Sequence, residues 1–188
     1  MLVDSKTLAK ATFAGGCFWC MQPPFDNLEG VISTIPGYSG GHKENPTYEE
    51  VCSGKTGHTE ALQVTFNPQK VSYPQLLDVF WRNINPADPD GQFVDRGSQY
   101  RPAIFYNNQE QQQLAKKSQE DLAASGRFKS PLAIEISPLE TFYPAENYHH
   151  DYYQKSPVQY KAYRYNSGRD QFLKNSGRKR NAVRAFVT

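Results

Sequence analysis

The apolar residues of this chain follow two different periods, and each period predicts one kind of element. From residue 62 to 66 apolar and polar residues alternate, which is typical of a half-buried strand, and Asn67-Pro68 ends it. From residue 72 to 84 the apolar residues fall at helical spacing, with Ser72 placed to cap the helix. The local patterns also predict strands over 11–14, 31–36, 101–106 and 132–136, and helices over 18–28 and 109–124.

The order of these elements predicts an α+β protein. Strands and helices alternate without an internal repeat, which favours a central mixed β-sheet with flanking helices, in a two-layer sandwich. The glycine-rich segment 37–41 is expected to end the strand that begins at Val31. Long coil segments connect the elements, and we expect the Pro- and Asp-rich segment 85–91 to line a site.

Length and composition are consistent with one domain over residues 1–188. No stretch approaches the ~20 apolar residues of a membrane helix, and residues 1–10 lack the apolar run of a signal peptide, so we expect a cytoplasmic protein without a membrane partner. The net charge of +2 is too small to argue for nucleic acid. Three cysteines do not make a disulfide framework, and an odd count suits a reducing compartment in which thiols are used chemically.

Basic residues crowd the C-terminal end of the chain. Only Asp170 opposes the positive charges of Arg164, Arg169, Lys174, Arg178, Lys179, Arg180 and Arg184. We interpret the residues from about 166 onwards as a solvated, partly disordered tail. The alternative is a basic patch that binds an acidic partner.

Candidate chemistry lies in the segment Gly15-Gly16-Cys17-Phe18-Trp19-Cys20. Cys17 is placed near the N-terminus of the predicted helix, where unpaired N–H groups and the helix dipole favour thiolate over thiol. The Cys-x-x-Cys spacing also lets Cys20 reach Cys17 if the chemistry leaves Cys17 oxidised. Redox or nucleophilic use is therefore favoured over a purely packed pair of cysteines.

Two other uses of a Cys-x-x-Cys pair are disfavoured. A structural zinc site needs four ligands, but only Cys52 and four histidines remain, and the adjacent His149-His150 lacks the spacing of a ligand pair. A thioredoxin-type dithiol is disfavoured because the aromatic residues lie between the two cysteines, whereas thioredoxins have the order Trp-Cys-Gly-Pro-Cys.

A carboxylate and two tyrosines add to the candidate chemistry. Glu60 directly precedes a predicted strand. If it lies among aromatic residues, its pKa is raised and it stays protonated as a proton donor. The alternative is a glutamate on the surface. Tyr48 and Tyr100 lie in predicted loops, where their hydroxyls could bind an oxygen. Asp95 could equally be a turn residue or a partner for Arg96. A thiol, an acid and phenolic donors suit attack on an oxygen-bearing centre in an aromatic pocket.

Five segments between about residue 11 and 156 form a larger pattern: Gly16-Cys17-Phe18-Trp19, Asn45-Pro46-Thr47-Tyr48-Glu49-Glu50-Val51-Cys52-Ser53-Gly54, Thr56-Gly57-His58-Thr59-Glu60, Asp95-Arg96-Gly97-Ser98-Gln99-Tyr100-Arg101 and Ala145-Glu146-Asn147-Tyr148-His149. Together they resemble the peptide methionine sulfoxide reductase A family. The resemblance implies reduction of methionine sulfoxide, free or in proteins and of the S epimer, without metal or bound organic cofactor. It also implies an α+β fold with a central mixed sheet, and we expect this fold to be a ferredoxin-like roll. We further expect a single catalytic domain and a monomeric protein.

The resemblance also implies roles for single residues. Carried over by motif, Cys17 is the nucleophile that becomes a sulfenic acid, and Glu60 is the proton donor. Tyr48 and Tyr100 hold the sulfoxide oxygen. These roles are consistent with the chemistry, because a sulfoxide sulfur is a poor electrophile until its oxygen is protonated or strongly hydrogen-bonded.

Three further residues are implied to bind the substrate. Phe18 and Trp19 form an aromatic wall for the methyl group, to which S···aromatic contacts add roughly 0.3–1.5 kcal/mol. Asp95 falls at a supporting position of the same site.

The chain departs from many family members in its resolving thiol. Those members have Gly after the Phe-Trp pair and recycling cysteines near the C-terminus, whereas here Cys20 stands at that position and no cysteine follows Cys52. We expect Cys20 to resolve the Cys17 sulfenic acid, as in family forms with Gly-Cys-Phe-Trp-Cys, and Cys52 to be structural. Helix positions i and i+3 hold their Cβ atoms ~5–6 Å apart, but a disulfide needs ~3.5–4.5 Å, so the first turn must be irregular or must unwind.

Two other functions stay open from the sequence. For a methionine sulfoxide reductase, thioredoxin or glutaredoxin is the expected reductant. The first alternative is a general dithiol oxidoreductase of the thioredoxin type, which would need neither Glu60 nor an aromatic pocket. A non-catalytic binder of oxidised methionine segments is the second alternative. The set of nucleophile, acid and oxygen-binding residues argues against it.

Overall fold

The computed structural model describes residues 8–175, which form a six-stranded sheet and a separate two-stranded hairpin. The strands are β1 (Ala9–Ala14), β2 (Val31–Ser39), β3 (Thr59–Phe66), β4 (Gly91–Gln92), β5 (Asp95–Arg96), β6 (Ala103–Tyr106), β7 (Glu135–Pro138) and β8 (Phe142–Pro144). The order in the large sheet is β7-β6-β1-β3-β2-β8, and β4 pairs with β5. Neighbours are antiparallel except for β6 and β7, so the predicted mixed sheet is confirmed.

The helices are α1 (Phe18–Asp26), α2 (Tyr48–Cys52), α3 (Tyr73–Asn83), α4 (Gln109–Ala124), α5 (Tyr152–Lys155), α6 (Pro157–Asn166) and α7 (Arg169–Asn175). The main core lies between the sheet and α1, α3 and α4. Phe13 of β1 stacks on Phe25 of α1 and on Phe80 of α3, with ring centroids 5.3 Å apart in both pairs. Because β1 and α1 share this core, the loop between them, which leads to Cys17, is held in place.

Three elements with clear patterns are confirmed. The helix predicted over 72–84 is α3, and the side chains of Ser72 and Gln75 form a capping box with each other's backbone. The helix predicted over 109–124 is α4, and the alternating segment 62–66 lies in β3. In these segments local propensity and burial indicate the same structure.

Other elements were predicted with wrong boundaries or not predicted at all. The strand from Val31 does not stop at Gly37 but continues to Ser39, because Gly37 pairs with Pro144 of β8. A Cβ on Gly37 would meet the Phe142 ring and the Tyr143 carbonyl oxygen at 2.4 Å, so this glycine allows close packing rather than a turn. The strand predicted over 132–136 is displaced to β7, and the sequence patterns predicted none of α2, β8, α5 and α6.

The basic C-terminal region is folded as far as Asn175. A solvated tail was expected from about residue 166, but α7 occupies Arg169–Asn175, and Arg169 is only 1% exposed. The expectation is wrong for this stretch, while residues 176–188, with Arg178, Lys179, Arg180 and Arg184, lie outside the described residues. Within residues 8–175, no helix combines the length and the apolar character needed to cross a membrane.

Candidate active site

Cys17 lies where the chain leaves the sheet and enters α1. β1 ends at Ala14, the paired glycines make the turn, and Cys17 is the N-cap residue of α1. Gly16 has a φ of +76°, and a Cβ there would lie 2.6 Å from Gln92 Cβ and 3.0 Å from Nη2 of Arg169. Both the left-handed backbone and the close approach require glycine. Gly16 therefore lets Arg169 lie against the loop that leads to the thiol.

Cys17 and Cys20 form a buried pair of thiols, 5% and 0% exposed. The Cys17 carbonyl accepts from the backbone N–H groups of Cys20 and Met21 at 3.0 and 3.3 Å, while Cys17 itself has the non-helical angles φ −50° and ψ 119°. Cys17 therefore stands just outside the regular helical backbone of α1. The side chains of Cys17 and Cys20 hydrogen-bond to each other.

The charge on this pair differs from the expectation. Burial raises the pKa of the Cys17 thiol, and the hydrogen bond to Cys20 raises it further. The hydrogen bond from Cys17 lowers the pKa of Cys20 to about 6; burial opposes this shift, and the charges of Arg169 and Arg164 add to it. The expectation that Cys17 is the thiolate is therefore wrong for the free enzyme, because burial and the hydrogen bond to Cys20 both raise its pKa. Cys17 holds the proton that the two sulfurs share.

Glu60 is the second residue of β3 and is only 2% exposed, so it is not the surface glutamate of the alternative interpretation. Its Oε2 accepts a hydrogen bond from the backbone N–H of Phe18 at 3.0 Å, which joins the acid to the loop of the nucleophile. Burial raises the pKa of Glu60 to about 8; the bond from Phe18 opposes this shift, and the charges of Asp95 and Cys20 add to it. Glu60 is therefore protonated at neutral pH.

Tyr48 and Tyr100 approach the acid from two different elements. Tyr48 is the first residue of α2, and its backbone N–H donates to Glu146 Oε1 at 2.8 Å. Tyr100 ends a 3₁₀ turn over Ser98–Tyr100. Burial raises the pKa of both phenols, and the nearby Glu60 raises both further, so each keeps its proton as a hydrogen-bond donor.

Cys52, the third cysteine, lies beside these tyrosines. It ends α2, and its thiol is hydrogen-bonded to both Tyr48 and Tyr100. Burial raises the pKa of the Cys52 thiol, and the tyrosine hydrogen bonds lower it in part. Cys52 is therefore hydrogen-bonded to the two tyrosines, whereas Cys20 is hydrogen-bonded to Cys17.

Phe18 and Trp19 form one wall, as the sequence predicts. Phe18 is 1% exposed, and the Trp19 ring stacks on Tyr152 with centroids 3.9 Å apart. The indole N–H of Trp19 donates to Nδ1 of His149 at 3.1 Å. Burial lowers the pKa of His149 to about 4, so the imidazole is neutral and accepts this bond. Sequence reasoning gave His149 and Tyr152 no role; the only signal was that His149 ends one of the five family segments.

Asp95 is a partner of Tyr163 rather than of Arg96. Arg96 forms an ion pair with Asp88 at 2.6 Å, while Asp95 Oδ2 accepts a hydrogen bond from the Tyr163 hydroxyl at 2.5 Å. Burial raises the pKa of Asp95, and the bond from Tyr163 counteracts part of the shift. Tyr163 belongs to α6, and no sequence pattern distinguished it from the other tyrosines.

These groups converge on one pocket, lined by Cys17, Phe18, Trp19, Tyr48, Glu60, Asp95, Tyr100 and Tyr163. Seven of the lining residues were predicted, and Tyr163 was missed. In the part of the chain that the structure describes, no three His, Cys, Asp or Glu side chains are grouped so that they could hold a metal ion. The pocket combines a thiol, a protonated acid and phenolic donors, which suits attack on a centre whose oxygen must be protonated.

Comparisons with known proteins identify relatives over almost the whole chain. A family model described as peptide methionine sulfoxide reductase matches residues 9–181. The peptide methionine sulfoxide reductase MsrA of Listeria monocytogenes is 56% identical over 171 residues, which cover 91% of this chain and 97% of the relative. The MsrA of Streptococcus agalactiae is 55% identical over 153 residues, which cover 81% and 90%.

Solved structures agree with these relatives. Mxr1 from Saccharomyces cerevisiae in its reduced form is 29% identical, with a TM-score of 0.77 over 82% of this chain and 89% of Mxr1. Methionine sulfoxide reductase A of Corynebacterium diphtheriae is 31% identical, with a TM-score of 0.73 over 81% of this chain and 76% of that protein. The family model and the curated relatives each cover far more than half of the sequence. The chain belongs to the peptide methionine sulfoxide reductase family.

Proposed function

We propose that this chain reduces the S epimer of methionine sulfoxide, free or in proteins, with Cys17 as nucleophile and Glu60 as proton donor. The observation that carries this assignment is the state of Glu60: the carboxyl group is 2% exposed, lines the same pocket as Cys17, and has a pKa of about 8. A sulfoxide sulfur is a poor electrophile until its oxygen is protonated, so an acid that keeps its proton at neutral pH is the group that the reaction needs.

The first step transfers two electrons from Cys17 to the substrate. The Cys17 sulfur loses its proton and attacks the sulfoxide sulfur while Glu60 protonates the oxygen. The sulfur–sulfur bond formed by this attack and the substrate's sulfur–oxygen bond then break while the hydroxyl group bonds to the Cys17 sulfur. The thioether of methionine leaves, and Cys17 becomes a sulfenic acid. In net terms, a thiol and a sulfoxide become a sulfenic acid and a thioether.

The remaining pocket residues orient the substrate. The Tyr48 and Tyr100 hydroxyls are phenols of raised pKa beside Glu60, so they can donate to the sulfoxide oxygen where negative charge develops. Phe18 and Trp19 bind the methyl group, and Asp95 supports the site through its bond to Tyr163.

Cys20 then resolves the sulfenic acid. The Cys20 thiol is already hydrogen-bonded to Cys17, which supports a high effective concentration of this thiol at the Cys17 sulfur. The Cys52 thiol is hydrogen-bonded to the tyrosines instead. A Cys17–Cys20 disulfide forms with loss of water, and a dithiol protein reduces it. Mxr1, the yeast relative, has been solved in complex with Trx2, and we propose thioredoxin as the reductant here, with glutaredoxin as the alternative.

The wider proposal concerns the chain as a whole. Residues 1–188 form a single catalytic domain, built as a two-layer, ferredoxin-like roll, which acts as a cytoplasmic monomer. It needs no metal or bound organic cofactor, and its partners are its oxidised substrates and its reductant rather than nucleic acid or membrane.

Turnover of the two resolved methionine sulfoxide epimers with thioredoxin tests the proposal. We expect methionine from the S epimer, background rates from the R epimer, and no turnover in Cys17→Ser. Insulin reduction with thioredoxin omitted is the matched assay for a general dithiol oxidoreductase. Insulin reduction without sulfoxide turnover, or equal use of both epimers, would contradict the proposal.

A further inference from the structure

Arg169 carries a guanidinium group into the interior of the protein. The residue is 1% exposed, and its guanidinium carbon lies 4.6 Å from the centre of the Phe93 ring. It donates to the carbonyl oxygens of Asn83 and Gly15 at 2.6 and 2.9 Å and to the Met21 sulfur at 3.6 Å, while Nε has no partner. These acceptors are uncharged, and no carboxylate within residues 8–175 forms an ion pair with Arg169. A buried cation needs a negative charge nearby.

Arg164 approaches the same place from α6. Its Nη1 donates to the backbone carbonyl of Cys20 at 3.1 Å, and its guanidinium is also hydrogen-bonded to the Cys20 side chain. Its other nitrogens donate to one oxygen of Asp170 at 2.9 and 3.0 Å. Arg164 therefore forms an ion pair with a carboxylate. Arg169 forms none within residues 8–175, and the Asp95 carboxylate interacts with its charge without a hydrogen bond.

We propose that Arg169 and Arg164 are positioning residues that keep one negative charge on the Cys17–Cys20 pair before substrate binds. The proposal rests on the proposed function, because the charge takes part in the same reaction. An opposite charge within ~4–6 Å favours the ionised form of a group, and burial strengthens the attraction. Arg169 donates to the carbonyl oxygen of Gly15, two residues before Cys17, so a thiolate on the pair places a negative charge near this buried cation in addition to the Asp95 carboxylate.

The shared charge supplies a base for the first step. The Cys17 proton passes along its hydrogen bond to the Cys20 sulfur as Cys17 attacks the sulfoxide, and Glu60 becomes the carboxylate. The neutral Cys20 sulfur then attacks the Cys17 sulfur: the sulfur–sulfur bond forms, the sulfur–oxygen bond breaks, and the departing hydroxide takes the Cys20 proton as water. When a dithiol reductant has restored both thiols, one proton returns from the pair to Glu60.

Several titratable groups face the pair, and they act in both directions. The carboxyl groups of Glu60 and Asp95 oppose a thiolate, and the guanidinium groups of Arg164 and Arg169 favour it. The phenols of Tyr100, Tyr160 and Tyr163 also interact with the pair. Since Glu60 keeps its proton near neutral pH, its opposition is small there. Removal of an arginine should therefore shift the titration of the pair upwards.

The ultraviolet absorbance of the thiolate, titrated in reduced enzyme without substrate, tests the proposal. A Cys52→Ser background removes the third thiol. We expect the first thiolate to form with a midpoint near 6, the pKa of Cys20 in the pair. Arg169→Gln should raise the midpoint by about one pH unit or more, and Arg169→Lys, which keeps the charge, should restore most of the shift. In single turnovers at a pH below both midpoints, Arg169→Gln should release methionine about tenfold more slowly.

Arg82→Gln is the matched control, because it removes a positive charge from a partly exposed ion pair with Asp78. An unchanged midpoint in folded Arg169→Gln overturns the proposal. If that variant does not fold, Arg164→Gln must raise the midpoint, and failure to do so overturns it equally. Failure of the proposed function gives a different result: sulfoxide turnover is absent, or Cys20→Ser recycles normally, while the substrate-free titration still reports on the arginines.

Discussion

The active site has two buried sides, and burial raises the pKa on both of them, while the neighbouring groups act in opposite ways. The sulfur side consists of Cys17, Cys20, Arg164 and Arg169, and the oxygen side consists of Glu60, Tyr48 and Tyr100. On the sulfur side, hydrogen bonding and two cations lower the pKa of Cys20 to about 6 in spite of burial. On the oxygen side, burial and negative neighbours raise the pKa of Glu60 to about 8. The neighbours of a buried group therefore decide which charge state it keeps.

The difference between the two sides suits one reaction. A sulfoxide needs a nucleophile that gives up its proton and an acid that donates one, and both must work at the same pH. Between about pH 6 and 8 the sulfur side holds a negative charge while the oxygen side stays protonated. Changes to the groups on either side, or to the wall between them, test this comparison, and they follow in order of decreasing expected effect.

Loss of the second thiol should abolish recycling. Cys20→Ser should still release about one methionine per enzyme, but it should accumulate a trappable sulfenic acid and fail in multiple turnovers with thioredoxin. Cys52→Ser is the matched control and should recycle. Mass mapping after sulfoxide treatment without reductant should show a Cys17–Cys20 linkage. A Cys17–Cys52 linkage, with the Cys52 variant stalled, would reverse the assignment.

Loss of the acid should slow sulfenic acid formation by roughly 10²-fold or more, because general acid catalysis typically contributes ~10²–10⁴-fold. Glu60→Gln keeps the size of the side chain, so stopped single turnovers can be compared directly with wild type. Part of the rate should return as the pH falls and solvent supplies the proton. Glu44→Gln, on an exposed residue, controls for the loss of a carboxylate. A near-wild-type rate in Glu60→Gln would remove Glu60 from the mechanism.

Loss of one phenolic donor should lower the single-turnover rate by about tenfold, since a hydrogen bond to a charged group contributes roughly 1.5–3 kcal/mol and the second tyrosine remains. Tyr48→Phe and Tyr100→Phe should each show this decrease in kcat, with a smaller change in KM. Tyr165→Phe serves as control, because Tyr165 is 71% exposed. If both variants change KM alone, the hydroxyls bind the ground state and not the transition state.

Raising the pH should remove the proton from the oxygen side. The folded enzyme holds Glu60 with a pKa of about 8, so the acid is present below that pH and is lost as the pH rises through it. The rate of methionine release should fall by about tenfold for each pH unit above the midpoint. Glu60→Gln should not show this decrease in rate at high pH. If the variant keeps the decrease, another group is responsible for it.

Loss of the indole should have the smallest effect. Trp19→Phe removes the hydrogen bond to His149 and alters the stacking on Tyr152, yet it keeps an aromatic face for the methyl group. We expect KM for a sulfoxide peptide to rise by roughly two- to tenfold, in line with S···aromatic contacts of ~0.3–1.5 kcal/mol, with little change in kcat. A loss comparable to that of Glu60→Gln would show that the indole takes part in the chemistry.

Local signals in the sequence predicted much of the fold. Ser72 and the helical spacing after it predicted α3, and alternation over 62–66 predicted part of β3, because each pattern reports burial within one element. The same reasoning failed at Gly37, which resembles a turn residue but lies in β2 beneath Phe142. It also failed at Tyr163 and Arg169, since a tyrosine or arginine in a basic segment shows no local sign of burial.

The sequence by itself determined the family and seven of the residues that line the pocket, because the family motifs are short, contiguous and chemically specific. Only the tertiary structure decided the charge states. Whether Glu60 keeps its proton depends on burial and on the charges of Asp95 and Cys20. Whether Cys20 loses its proton depends on arginines from α6 and α7, about 145 residues along the chain. A pKa depends on distances in space, which sequence spacing does not contain.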